Sequence, residues 1–126
     1  MMGYAKRMAL SAVLFGVVLN PLFAVAEDED TFNCTIGPIT KTFGQAQWLV
    51  YSCNDDKTVV IVSAPGSPAM PFYFTFLPTD AGHRLFGEGT GNKEATAAAF
   101  EQLKSLSEDD IANVIKETKE AKAPKQ

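Results

Sequence analysis

The chain is poor in the residues that most often carry metal and redox chemistry. Among 126 residues there is one histidine, His83, and there are two cysteines, Cys34 and Cys53. A structural zinc cage takes four Cys or His ligands, so no such cage can be assembled. No metal and no cofactor is expected. The two cysteines stand 19 positions apart, far from the close Cys-x-x-Cys spacing of redox-active thiols. Basic residues are also scarce: 11 Lys and Arg against 15 Asp and Glu, net -4. Lys6 and Arg7 precede position 27, so the remainder carries 9 basic and 15 acidic residues, net -6. Phosphate neutralisation needs clustered Lys and Arg, and nucleic acid is not expected as a partner. The length leaves no room for two domains with a cleft between them. A hydrophobic content of 46% argues against a disordered chain.

What is present begins with an address. Met1 to Met8 carries Lys6 and Arg7, residues 9–19 are almost wholly apolar, and Asn20-Pro21 breaks the run before Ala24-Val25-Ala26. A positive start, a short apolar core and an Ala-x-Ala site form a signal peptide, expected to be cleaved after Ala26. A spanning helix needs about 20 uninterrupted apolar residues, so no stable membrane anchor is expected after cleavage. Absence of a cysteine at the cleavage site argues against a lipid anchor. The expected location is periplasmic or extracellular. There the two cysteines are expected to pair as a structural staple, Cys34 with Cys53.

Four segments follow from this: residues 1–26 as signal peptide, 27–44 as an acidic flexible start plus a disulfide-tethered stretch, 45–119 as a single domain, and 120–126 as a disordered tail. Residues 45–53 alternate as a strand, with Trp48 and Val50 on one face and Leu49 and Tyr51 on the other. Residues 57–64 are rich in β-branched side chains and apolar on both faces, which predicts a central strand. In residues 72–77 Phe72, Phe74 and Phe76 share one face, which calls for a covering helix layer. A short strand is predicted at 84–86. The period then changes: Asn92 caps a helix to about Ser105, and Ser107 caps a second with the stripe Ile111, Val114, Ile115 and Thr118. Strands first and helices later predict an α+β domain. Three to four antiparallel strands would be followed by two C-terminal helices packed on one face.

Two segments are singled out for function. Pro65, Gly66, Ser67, Pro68, Met70 and Pro71 form a stiff loop that would lose little entropy on binding, with Met70 offering apolar contact. Gly87, Gly89, Gly91, Asn92 and Lys93 lead into a helix, where backbone N–H groups can hold an anion. The nucleotide patterns are not met: Asn92 occupies the third dinucleotide glycine, and Glu94 stands where a P-loop has Ser or Thr. A tight strand-to-helix turn is the simpler reading.

The run from Gly87 to Ala99, following an antiparallel sheet, resembles the last strand and second helix of double-stranded-RNA-binding domains over residues 71–106. That resemblance implies a phosphate-gripping basic cluster at the helix start. Only Lys93 matches it; Asn92 and Thr96 fill the other basic positions. The family's first helix also has no counterpart, so shared packing rather than shared function is inferred.

No Gly-x-Ser-x-Gly elbow occurs. The expectation is therefore a small exported, non-enzymatic binding protein recognising a protein or envelope component. A cationic partner is favoured by charge steering. The alternative is a small envelope enzyme using His83 and Asp80, or the Gly87–Gly91 turn.

Overall fold

A computed structural model describes residues 31–122. The expected signal peptide, the acidic start at 27–30 and residues 123–126 lie outside this described part. Five strands run in chain order: β1 (Ile36–Phe43), β2 (Ala46–Ser52), β3 (Val59–Ser63), β4 (Phe72–Thr79) and β5 (Gly82–Gly89). Two helices follow, α1 (Lys93–Lys104) and α2 (Glu108–Lys122). The sheet is an antiparallel meander in which spatial order equals chain order. The α+β architecture is the expected one, with five strands in place of three to four.

The additional strand is β1. Its alternation is interrupted by Gly37-Pro38, and the register against β2 shifts between Ile36 and Ile39. The β1–β2 connection is a two-residue turn, Gly44-Gln45, with φ of 61° and 65°. Positive φ at both central residues suits the twist of a hairpin, but it is normally supplied by Asn-Gly or Asp-Gly. A bulged strand beside an unusual turn leaves little periodic signal. Strand β5 also runs past the predicted 84–86 at both ends. Helix α2 continues through Lys122, into the segment expected to fray.

The inward face of the sheet carries Trp48, Val50, Val59, Ile61, Phe74 and Phe76, all buried. Ala99, Leu103, Ile111 and Ile115 from the two helices complete one core. Burying each large side chain contributes about 1.5–3 kcal/mol. The Trp48 indole N–H donates to the Phe43 carbonyl at 3.0 Å, so this buried donor is satisfied. The predicted stripe of α2 faces inward as read.

Side chains fix the helix ends. The Asn92 carboxamide oxygen accepts from the Ala95 N–H at 2.9 Å. Ser107 and Asp110 form a reciprocal capping box: the Asp110 N–H donates to Ser107 Oγ at 3.0 Å, and the Ser107 N–H donates to Asp110 Oδ2 at 2.9 Å. The alanine-rich stretch of α1 serves close approach, because the β1–β2 turn lies directly on Ala99 and Ala98. The Gly44 N–H also donates to Gln102 Oε1 at 2.9 Å, tying that turn to α1. The Cys34–Cys53 disulfide is formed and joins the chain before β1 to the end of β2.

Candidate functional site

The proline loop and the glycine turn meet. Pro71 O accepts from the N–H groups of Thr90 at 2.9 Å and Gly91 at 3.0 Å. Pro68 O accepts from the Asn92 N–H at 3.1 Å. Within the loop, the Ser67 N–H donates to Ala64 O, the Met70 N–H to Ser67 O and the Ala69 N–H to Ser67 Oγ, at 3.0–3.1 Å. Ala69 is fully buried under this arrangement. Gly91 has no alternative side chain here, because a Cβ at that position would overlap the Ala69 carbonyl.

The glycine turn therefore directs three N–H groups into the loop rather than outward. Gly87 has a packing role of its own. It opposes Phe74 across the β4–β5 pairing. A Cβ at Gly87 would stand 2.8–2.9 Å from the Phe74 and Phe72 rings, which lie across the bare backbone. Lys93 is exposed in the first turn of α1, beside Glu94.

Beside the locked loop lies a groove of about 420 Å³. Met70, Pro71, Phe72, Tyr73 and Val62 supply its apolar lining, and Ser63, Gly89 and Thr90 its edges. Glu88 is the only ionisable carboxylate in that lining. Met70 is 51% exposed and Tyr73 43%. The Tyr73 hydroxyl donates to Glu88 Oε1 at 3.0 Å. That hydrogen bond, with the Glu88 charge, pushes the phenol above its usual value of 10.0. Strand alternation puts Tyr73 on the face opposite Phe72, Phe74 and Phe76. Glu88 is not legible in the same way, because the short reading of β5 stops before it.

Val62, Tyr73 and Glu88 of this lining lie on the side of the sheet away from the helices. Among the described residues nothing covers this side. Leu49, Tyr51, Val60, Val62 and Thr75 are half-buried on it, while Leu77 and Phe86 are about 40% exposed. Cross-strand pairing places Leu49 beside Val62, Val62 beside Tyr73 and Tyr73 beside Glu88 in one row. Arg84 lies over the Phe86 ring at 4.6 Å.

The histidine site differs from the His83–Asp80 pairing that the sequence suggests. Asp80 lies in the β4–β5 turn, and the partner of His83 Nδ1 is Glu108 Oε1 at 2.7 Å. His83 Nε2 lies 2.7 Å from the Lys57 carbonyl. Both ring nitrogens are thus engaged in tying β5 to the start of α2 and to the β2–β3 connection. The serine hydroxyls among the described residues are engaged elsewhere. Ser52 meets Thr118, Ser63 accepts from the Phe72 N–H, and Ser105 donates to the Gln102 carbonyl. Ser67 and Ser107 hold a turn and a helix cap.

No helix among the described residues is long and apolar enough to cross a membrane. No family model matches the chain, and neither the curated proteins nor the solved structures contain a match to it. Fold and site geometry are therefore the whole basis for a functional reading.

Proposed function

We propose that this chain is a small exported, non-enzymatic binding module whose recognition surface is the groove between Met70, Tyr73 and Glu88. The observation that carries this reading is the mutual locking of the proline loop and the glycine turn. A locked loop has already lost its conformational freedom, so exposed Met70 on it, beside exposed Tyr73 on strand β4, is presented without further ordering on association. The partner expected is a protein of the cell envelope. It would place an apolar side chain against Met70 and Tyr73, with a cationic group near Glu88. The net charge of -6 outside the leader supports steering of a cationic partner. The disulfide and the absence of a membrane-crossing helix among the described residues are compatible with export.

The test is affinity capture from an envelope extract with the purified, disulfide-bonded protein at low and moderate salt. A partner retained by the native protein and lost with Met70→Arg supports the reading. That substitution lies at an exposed side chain, and unchanged circular dichroism controls for folding. Failure to retain any partner across the salt range, or retention indifferent to Met70→Arg, counts against it.

A further inference from the structure

The two edges of the sheet are not alike. At one edge, β1 carries Pro38, which has no N–H to offer, and a register irregularity between Ile36 and Ile39. Lys41 projects toward the helix side of that strand and pairs with Glu117 of α2 at 3.0 Å. These features discourage another strand from adding there. At the other edge, β5 runs from Gly82 to Gly89 with no proline, no lysine and no irregularity in its pairing with β4. Among the described residues no backbone group pairs with its outer side. A long, regular edge left open in this way is a template for strand addition.

The side chains of β5 say which strand fits. On the uncovered face its sequence reads Arg84, Phe86, Glu88 at alternate positions, all exposed. This pattern is complementary to its own reverse. When two copies of β5 lie antiparallel with Phe86 on the two-fold axis, Phe86 faces Phe86 and each Arg84 faces the other copy's Glu88. Residues 83–89 are then paired along nearly the whole strand. On the helix side Leu85 falls opposite Gly87 and His83 opposite Gly89, so bare backbone faces each larger side chain. Moving the axis to Leu85 sets Arg84 against Phe86, and moving it to Gly87 sets Phe86 against Glu88. Only the Phe86-centred register pairs every charge with its opposite.

We propose that the protein forms a two-fold dimer through antiparallel pairing of β5, with Phe86 on the axis and two Arg84–Glu88 pairs across it. This goes beyond the binding function and does not depend on it. An interface between identical patches related by a two-fold axis is the commonest form of closed self-association. Both five-stranded sheets join into one, with both uncovered faces on the same side. The side chains involved are already held in place within one copy. Arg84 stacks on Phe86 at 4.6 Å, and Glu88 uses Oε1 to accept from Tyr73, leaving Oε2 for an arginine across the axis. Directly opposed charges on an antiparallel pair attract, and like charges in the same positions repel. In the dimer the second copy's Arg84 takes the place beside Glu88, so a partner's cationic group would meet Glu88 only in the monomer, while Met70 and Tyr73 stay open in both states.

Sedimentation equilibrium of the purified, disulfide-bonded protein tests the proposal. The native protein should sediment as a dimer at low salt at concentrations up to about 200 µM. Arg84→Glu places a carboxylate opposite Glu88 at two sites and should weaken the dimer by about tenfold or more. Combining it with Glu88→Arg restores opposite charges and should restore the dimer. Circular dichroism of each variant reports the fold separately. A native protein that remains monomeric up to about 200 µM at low salt would overturn the dimer, because a specific interface should be populated there. A dimer indifferent to Arg84→Glu, or not recovered by the double exchange, would overturn the pairing. Neither result touches the capture experiment, which rests on Met70.

Discussion

The hydroxyls of Ser52 and Thr118 meet at 2.7 Å in the fully buried core, and they join β2 to α2 across 66 positions of chain. Thr118 Oγ1 donates to the Ile115 carbonyl at 2.6 Å. Its oxygen is therefore left to accept from Ser52. Each hydroxyl satisfies a group that would otherwise be buried without a partner.

Thr118→Val should destabilise the fold by about 1–3 kcal/mol, because the Ser52 hydroxyl loses its partner inside the core. Removing both hydroxyls, as Ser52→Ala with Thr118→Val, should cost less than the two single losses added together. Urea unfolding of the three variants forms a double-mutant cycle. Strictly additive losses would show that the two hydroxyls do not act as a pair.

Gly91→Ala is expected to destabilise by about 3 kcal/mol, at the upper end of overpacking effects, since its Cβ has no space beside Ala69. Gly66 sits in the same loop with φ of +83°, and a methyl group there would meet nothing within 4 Å. Gly66→Ala should therefore cost only the backbone term of about 1 kcal/mol. Chemical denaturation of both variants separates crowding from conformational strain. Equal losses would contradict the locking of loop and turn.

Removing the staple through Cys34→Ala and Cys53→Ala should cost about 3 kcal/mol, from the entropy returned to an unfolded chain no longer closed into a loop. Reduction of the native protein should lower its urea midpoint in the same direction. A midpoint unchanged by either treatment would mean that the bridge does not stabilise the fold.

Asp55 predicts a dependence on acid. Partial burial raises its carboxyl, but hydrogen bonds from the Thr58 N–H, the Thr58 hydroxyl and the Lys57 N–H outweigh that effect and hold it below the usual value of 3.8. The three contacts measure 2.7–2.9 Å. A carboxylate depressed on folding contributes stability above its unfolded value, and that contribution is lost as pH falls below about 4. Asp55→Asn should lower stability at neutral pH by about 1 kcal/mol, the size of a lost hydrogen bond. It should also flatten the fall in stability below pH 4. Melting temperatures of both proteins from pH 7 to pH 2 provide the check, and parallel curves would contradict it.

Much of the fold was legible because its signals are local. The phenylalanines at 72, 74 and 76 repeat with the strand period, and Ile111, Val114, Ile115 and Thr118 repeat with the helix period. Asn92 and Ser107 cap their helices through the residues three positions on, so no distant contact is needed to recognise them. Strand β1 escaped because its period is broken at Gly37-Pro38 and its turn uses Gly44-Gln45. Pairing with β2 supplies what its own sequence does not announce. Of the candidate site, the loop and the turn were each legible as separate segments. Glu88 and the groove were not, since they exist only where β4, β5 and the loop come together.

Periodicity, capping and the presence of only two thiols suffice to set the α+β class, the starts of both helices, the phenylalanine face of β4, the inward stripe of α2 and the cysteine pair. Other features arise only in three dimensions. Pro68 and Pro71 receive the N–H groups of Thr90, Gly91 and Asn92, His83 goes to Glu108 rather than Asp80, and β5 is left as the open edge. Each of these depends on which segments lie side by side after the meander closes. Strand order and register are set by the packing of the whole core, and no local pattern of residues encodes them.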